Sequence, residues 1–190
     1  MKLLMLDNYD SFTWNLVHYL EDILQLEVTV RRNDEFKAHE ALAFDAIILS
    51  PGPGLPAESG NLMEVIRLCA DKKPLLGVCL GLQAIVEHFG GRLSQLPAVM
   101  HGLQRNCTIL EPSRIYKGVS SPFLAGRYHS WAADPHQLPA CLKVTAQDEI
   151  GTIMSIEHHS LPIYAVQFHP ESIMTPEGKK MLKNWLESIK

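Results

Sequence analysis

The chain has 190 residues, 46% hydrophobic and 20% charged, an ordinary balance for one soluble globular domain with one sizeable core. Its formal net charge of −4 excludes a strongly basic surface for nucleic acid or anionic membrane. No apolar run approaches the roughly 20 residues of a membrane span, and the short apolar start after Lys2 lacks the length of a signal peptide, so a single cytoplasmic domain over residues 1–190 is expected.

Residues 2–6 form a compact apolar run ending at Asp7, the pattern of a buried strand. Asn8-Tyr9-Asp10-Ser11 then offers N-cap chemistry. Phe12, Leu16, Val17, Leu20, Ile23 and Leu24 fall on one helical face. Residues 27–31 and 46–49 read as second and third strands, the latter ended by Ser50-Pro51-Gly52-Pro53-Gly54. Leu62, Val65, Ile66 and Cys69 make another helical stripe. Residues 74–78 read as a fourth strand, and Leu82, Ile85, Val86 and Phe89 as a helix stopped by Gly90-Gly91. This alternation predicts an α/β fold, an open and mostly parallel sheet flanked by helices. From about residue 103 to 168, short strand-like runs and prolines replace the helical period, which predicts antiparallel strands added to that sheet. The C-terminus returns to helix: Thr175 is placed to cap, Pro176 suits the first position, and Met181, Leu182, Trp185, Leu186 and Ile189 form a stripe.

Four cysteines are present. None forms a C-x-x-C pair, and free thiols are expected in a reducing compartment. Cys69 lies on a helical stripe, and Cys107 and Cys141 have no chemical context. Cys79 differs: Gly77-Val78-Cys79-Leu80-Gly81 joins a buried strand to a helix, the pattern of a nucleophile elbow with Cys in place of Ser. A tight turn there needs small flanking residues, and the helix N-terminus favours a thiolate. A buried structural cysteine at a Gly-rich turn is the alternative.

Gln167-Phe168-His169-Pro170-Glu171 closes an alternating run. Residues two apart on an extended chain share a side, so Glu171 can hold one nitrogen of His169 while the other faces a thiol. A surface His-x-Glu pair is the alternative. The Pro-Cys-x-x-Cys that a zinc deaminase would need is missing. The nine histidines supply no helical His-x-x-x-His pair, so neither metal nor cofactor is expected. The Ser-Pro-Gly-Pro-Gly loop lacks the Gly-Lys-Ser/Thr of a phosphate loop. It is a rigid turn, or a loop in which the N–H of Gly52 or Gly54 supplies one oxyanion donor beside that of Leu80.

These pieces, in this order, resemble the class I (triad) glutamine amidotransferases. The resemblance is carried by Asp7-Asn8-Tyr9-Asp10-Ser11-Phe12-Thr13, Ser50-Pro51-Gly52-Pro53-Gly54, Gly77-Val78-Cys79-Leu80-Gly81-Leu82-Gln83, His101-Gly102, Arg127-Tyr128-His129-Ser130 and Gln167-Phe168-His169-Pro170-Glu171-Ser172. The opening segment resembles the chorismate-using subgroup, the small subunits of anthranilate synthase and aminodeoxychorismate synthase. The resemblance implies a flavodoxin-like fold and a triad of Cys79, His169 and Glu171. It implies an oxyanion hole at Gly52 and Leu80, and L-glutamine held by Gly52, Pro53, Gly54, Gln83, Ser130 and Trp131. It also implies release of ammonia to a chorismate-using synthase subunit. Base catalysis by His169 would make thioester formation fall as the imidazole protonates. Trp14 and Val99-Met100-His101-Gly102 resemble the aminodeoxychorismate type more closely. Leu82 and Leu103 depart from the subgroup pattern, where His and Lys are usual, and both are expected to bear on coupling to the partner. A stand-alone γ-glutamyl hydrolase or related cysteine peptidase, and a non-catalytic binding subunit of the same fold, are the competing readings.

Overall fold

The computed structural model describes residues 1–25 and 27–189, the side chains of residues 97–101 excepted. In chain order the elements are β1 (Leu3–Asp7), α1 (Thr13–Leu24), β2 (Thr29–Arg32), β3 (Ala46–Leu49), α2 (Leu62–Cys69), β4 (Leu75–Val78), α3 (Leu80–His88), β5 (Leu93–Ile109), β6 (Phe123–Ala133), β7 (Leu142–Asp148), β8 (Ile153–His158), β9 (Ile163–Val166) and α4 (Gly178–Ser188). The strands form one sheet in the order β2-β1-β3-β4-β9-β8-β7-β5-β6. Strands β2, β1, β3, β4 and β9 run parallel, and β8, β7, β5 and β6 extend the sheet antiparallel. This is the expected α/β architecture.

Period-2 alternation builds two cores, one on each face. Leu3, Met5, Ala46, Ile48, Leu76 and Val78 point to the face covered by α1 and α4. Leu4, Leu6, Ile47, Leu49 and Leu75 point to the face covered by α2 and α3. A parallel sheet covered on both faces explains why these strands read as continuous apolar runs.

Several local expectations are corrected. The Asn8–Ser11 side chains do not N-cap α1; its cap position is Phe12, without a side-chain cap bond. Asp10 accepts instead from Phe12 N–H at 2.8 Å, and Asp7 from the Thr13 hydroxyl at 2.9 Å. The last helix starts at Gly178, not at Pro176. Thr175 is used elsewhere: its hydroxyl donates to the His169 carbonyl at 2.7 Å and accepts from Gly126 N–H at 3.0 Å. The second strand starts two positions later than expected and ends one later, at Thr29–Arg32. The antiparallel region opens at Leu93, ahead of the expected residue 103.

The parallel half places the functional loops. Chain segments leaving the carboxyl ends of β1, β3, β4 and β9 carry Asn8–Phe12, Ser50–Gly54, Cys79 and Gln167–Glu171 respectively. These four strands are consecutive in the sheet, so the motifs converge on one rim, the side where open α/β sheets bind ligands.

Candidate active site

Cys79 sits between β4 and α3 with φ 53° and ψ −101°. Left-handed backbone at a non-glycine residue is strained by about 1–3 kcal/mol, and here it turns the side chain out of the sheet. The Cys79 N–H holds the turn by donating to the Val166 carbonyl at 2.8 Å. The flanking glycines are steric requirements. A Cβ on Gly77 would lie 2.6 Å from the Gly81 backbone, and one on Gly81 would strike the Leu49 carbonyl. Strand and helix can therefore approach closely enough to form the elbow.

His169 and Glu171 are buried beside it. His169 Nδ1 meets Glu171 Oε1 at 2.7 Å. The ring's other nitrogen, Nε2, is buried without a protein hydrogen bond of regular geometry, and Cys79 is near enough to shift the ring's protonation. Two aromatic rings fix the imidazole edge-on: Tyr128 at 4.8 Å and Phe12 at 5.4 Å between centroids. The segment's backbone is tied down by His169 N–H to the Gly126 carbonyl at 3.1 Å and by the Thr175 hydroxyl.

Burial, the largest influence on His169, disfavours its charge, but hydrogen bonding and charge from Cys79 and Glu171 outweigh it and hold the ring well above its ordinary pKa of 6.5. Burial raises the Glu171 carboxyl, against the pull of His169. Burial pushes two other thiols up, Cys69 to about 11 and Cys107 to about 12. The simple expectation of a neutral imidazole protonating in acid is thus modified. The charged form of the ring is favoured beside Cys79 and Glu171. In Cys79→Ala the causes raising His169 are reduced to Glu171, while burial stays. Its imidazole titration midpoint, followed by NMR of the ring protons, is therefore expected to fall below that of the wild type. An unchanged midpoint would disprove the pairing.

A cavity of about 270 Å³ opens over the thiol. Every residue expected to hold a substrate lines it: Gly52, Pro53, Gly54, Gln83, Ser130 and Trp131, with Cys79 at its base. His169 and Leu80 do not line it; Leu80 is the first residue of α3. The Gly52 loop touches the elbow, since a Cβ on Gly52 would lie 2.6 Å from Leu80 Cδ2. Neither the Gly52 nor the Leu80 N–H donates to a protein acceptor among the described residues. Both donors therefore stay available to a ligand, Gly52 in the cavity wall and Leu80 in the first turn of α3.

Residues given no role in the site from the sequence complete it. Asn8 N–H donates to Ser50 Oγ at 2.8 Å and its side-chain amide donates to the Ser50 carbonyl at 2.9 Å, so the opening motif braces the Gly52 loop. Asn33 in turn donates to Asn8 Oδ1 at 3.0 Å. Gln167 Nε2 reaches Cys79 Sγ at 3.6 Å. Tyr128 and His129 join the cavity wall. The Asn8 contacts carried no signal of their own, because they join residues 25 or 42 positions apart. The departures separate: Leu82 is wholly buried in the core facing α2, a packing position and not a docking one, whereas Leu103 is 37% exposed on β5. The side chains at 99–101 lie outside the described residues, and Trp14 is 55% exposed.

Comparison with known proteins agrees with this geometry. The family model "Glutamine amidotransferase class-I" matches residues 4–189. The aminodeoxychorismate/anthranilate synthase component 2 of Bacillus subtilis (strain 168) is 46% identical over 190 residues, covering 99% of this chain and 97% of that protein. The aminodeoxychorismate synthase component 2 of Escherichia coli (strain K12) is 43% identical over 186 residues, covering 97% and 98%. A solved structure described as part of a GMP synthase from Thermoplasma acidophilum shares the fold, with a TM-score of 0.88 at 24% identity, covering 100% of this chain and 94% of that one. The chain belongs to the class-I glutamine amidotransferase family.

Proposed function

We propose that the chain is a glutaminase subunit. It hydrolyses L-glutamine to glutamate and ammonia through a Cys79 thioester and delivers the ammonia to a chorismate-aminating synthase subunit. One observation carries the reading: a strained cysteine elbow lies between a buried His169–Glu171 pair and a polar cavity of amino-acid size.

The Cys79 thiolate attacks the side-chain amide carbon of glutamine, and the Gly52 and Leu80 N–H groups take the negative charge on oxygen. The carbon–nitrogen bond breaks as His169 gives its proton to the leaving nitrogen, which departs as ammonia. His169 then takes a proton from water, whose oxygen attacks the γ-glutamyl thioester. Glutamate leaves and the imidazolium–thiolate pair returns. Glu171 keeps the ring oriented and stabilises its charge. Gln83, Ser130, Trp131 and the Gly52-Pro53-Gly54 loop hold the amino-acid end.

The rim around the site exposes Tyr9, Trp14 and Ile173. These exposed apolar side chains support docking of the synthase subunit on this rim. The names of the two relatives support chorismate as the acceptor, with anthranilate or aminodeoxychorismate as product.

Acid quenching of the chain during turnover of L-glutamine is expected to yield a γ-glutamyl adduct on Cys79 by mass spectrometry, and Cys79→Ala none. Glutamate formation that survives without any adduct-competent cysteine would overturn the mechanism. Full turnover by the isolated chain, with no gain from a synthase, would favour the stand-alone hydrolase.

A further inference from the structure

Arg127 starts a chain of fixed hydrogen-bond polarity that ends inside the cavity. Its guanidinium keeps its protons at any ordinary pH, so Nε–H can only donate. It does so to His129 Nε2 at 3.2 Å. Nε2 is then an acceptor, and the proton of the neutral ring sits on Nδ1. From there it is donated to the Trp131 carbonyl at 2.8 Å. The same carbonyl accepts from Gln83 Nε2 at 2.9 Å, and Gln167 Oε1 lies 3.5 Å from that nitrogen. With its nitrogen turned toward two acceptors, the Gln83 amide leaves its oxygen for a ligand.

The surroundings keep this order in place. Arg127 is paired with Asp148, and all four of Gln83, Arg127, His129 and Asp148 are buried. Burial and the neighbouring Arg127 push the His129 imidazole down to about 4, with His169 acting in the same direction and Asp148 against it. The ring is therefore neutral under working conditions.

We infer that His129 is a positioning residue: held by Arg127 with its proton on Nδ1, it fixes the Trp131 carbonyl and turns the Gln83 amide so that the cavity presents an acceptor to an ammonium-bearing ligand. The inference rests on the glutaminase reading, since it assigns that acceptor to the amino-acid end of the substrate.

The first test needs no substitution. Nitrogen NMR of the histidine rings in the full chain is expected to show His129 neutral and protonated at Nδ1 between about pH 5 and 8. Proton occupancy at Nε2 would overturn the inference. The second test labels Cys79 with the diazoketone analogue of L-glutamine, and with iodoacetamide as a probe indifferent to the amino-acid end. His129→Leu and His129→Asn both lose the Arg127 contact, but only asparagine retains a donor for Trp131. His129→Leu should slow labelling by the analogue about tenfold, with iodoacetamide labelling changed by about twofold or less. His129→Asn should recover most of the analogue rate. Equal analogue rates for wild type and His129→Leu, or no recovery in His129→Asn, would overturn the positioning role alone. Wild-type labelling that fails to prefer the L-analogue over its D-enantiomer would overturn the glutaminase reading and this inference together.

Discussion

Cys79→Ala is expected to lower glutamine-dependent synthesis by a synthase complex about 10⁴-fold or more, while synthesis from added ammonium stays within about twofold. Among the described residues that line the cavity, Cys79 carries the only thiol. Removing it leaves the cavity walls, the His169–Glu171 pair and the exposed rim in place. The ammonium control separates loss of chemistry from loss of assembly, because a damaged docking face would depress both activities. Retained glutamine-dependent activity would show that the elbow is structural. The fold is expected to survive the change, since alanine fits wherever cysteine does.

The second large effect lies in the antiparallel half. Asp148→Ala is expected to destabilise the chain by about 3–5 kcal/mol, the usual cost of leaving a buried charge without its partner. The Asp148 and Arg127 side chains are 2% and 1% exposed. Asp148 also accepts from the N–H groups of Thr152 at 2.7 Å and Ile150 at 3.1 Å, holding the turn between β7 and β8. Urea unfolding measures it: the midpoint should fall with little change in slope. A shift under about 1 kcal/mol would mean that water reaches Arg127 and replaces the carboxylate. Because Arg127 orients His129, the variant should also weaken glutamine binding in whatever fraction remains folded.

The parallel half was legible in the sequence because its determinants are local. Residues 46–49 match β3 at both ends. The elbow at Cys79 was visible because a turn so tight demands Gly77 and Gly81 within four positions. All six residues assigned to the glutamine end line one cavity, although that assignment came from family resemblance and not from spacing. What stayed hidden depends on partners distant in the chain. Asn8 looked like a helix cap, and its polar groups go instead to Ser50, an equally good acceptor that sequence proximity cannot reveal. Thr175 looked like a cap for the same reason, and its hydroxyl serves His169 and Gly126. His129 gave no separate signal, since its significance lies in which nitrogen carries the proton.

The left-handed backbone of Cys79 also bears on how this family of chains can change. A glycine at residue 79 would adopt the same angles without strain, so an inactive chain could be more stable than the active one. The Cys79 N–H bond to Val166 that retains the strained turn ties the elbow, one residue past β4, to the end of β9. Selection for stability alone would therefore drift away from the nucleophile, and only demand for ammonia keeps a side chain at that turn.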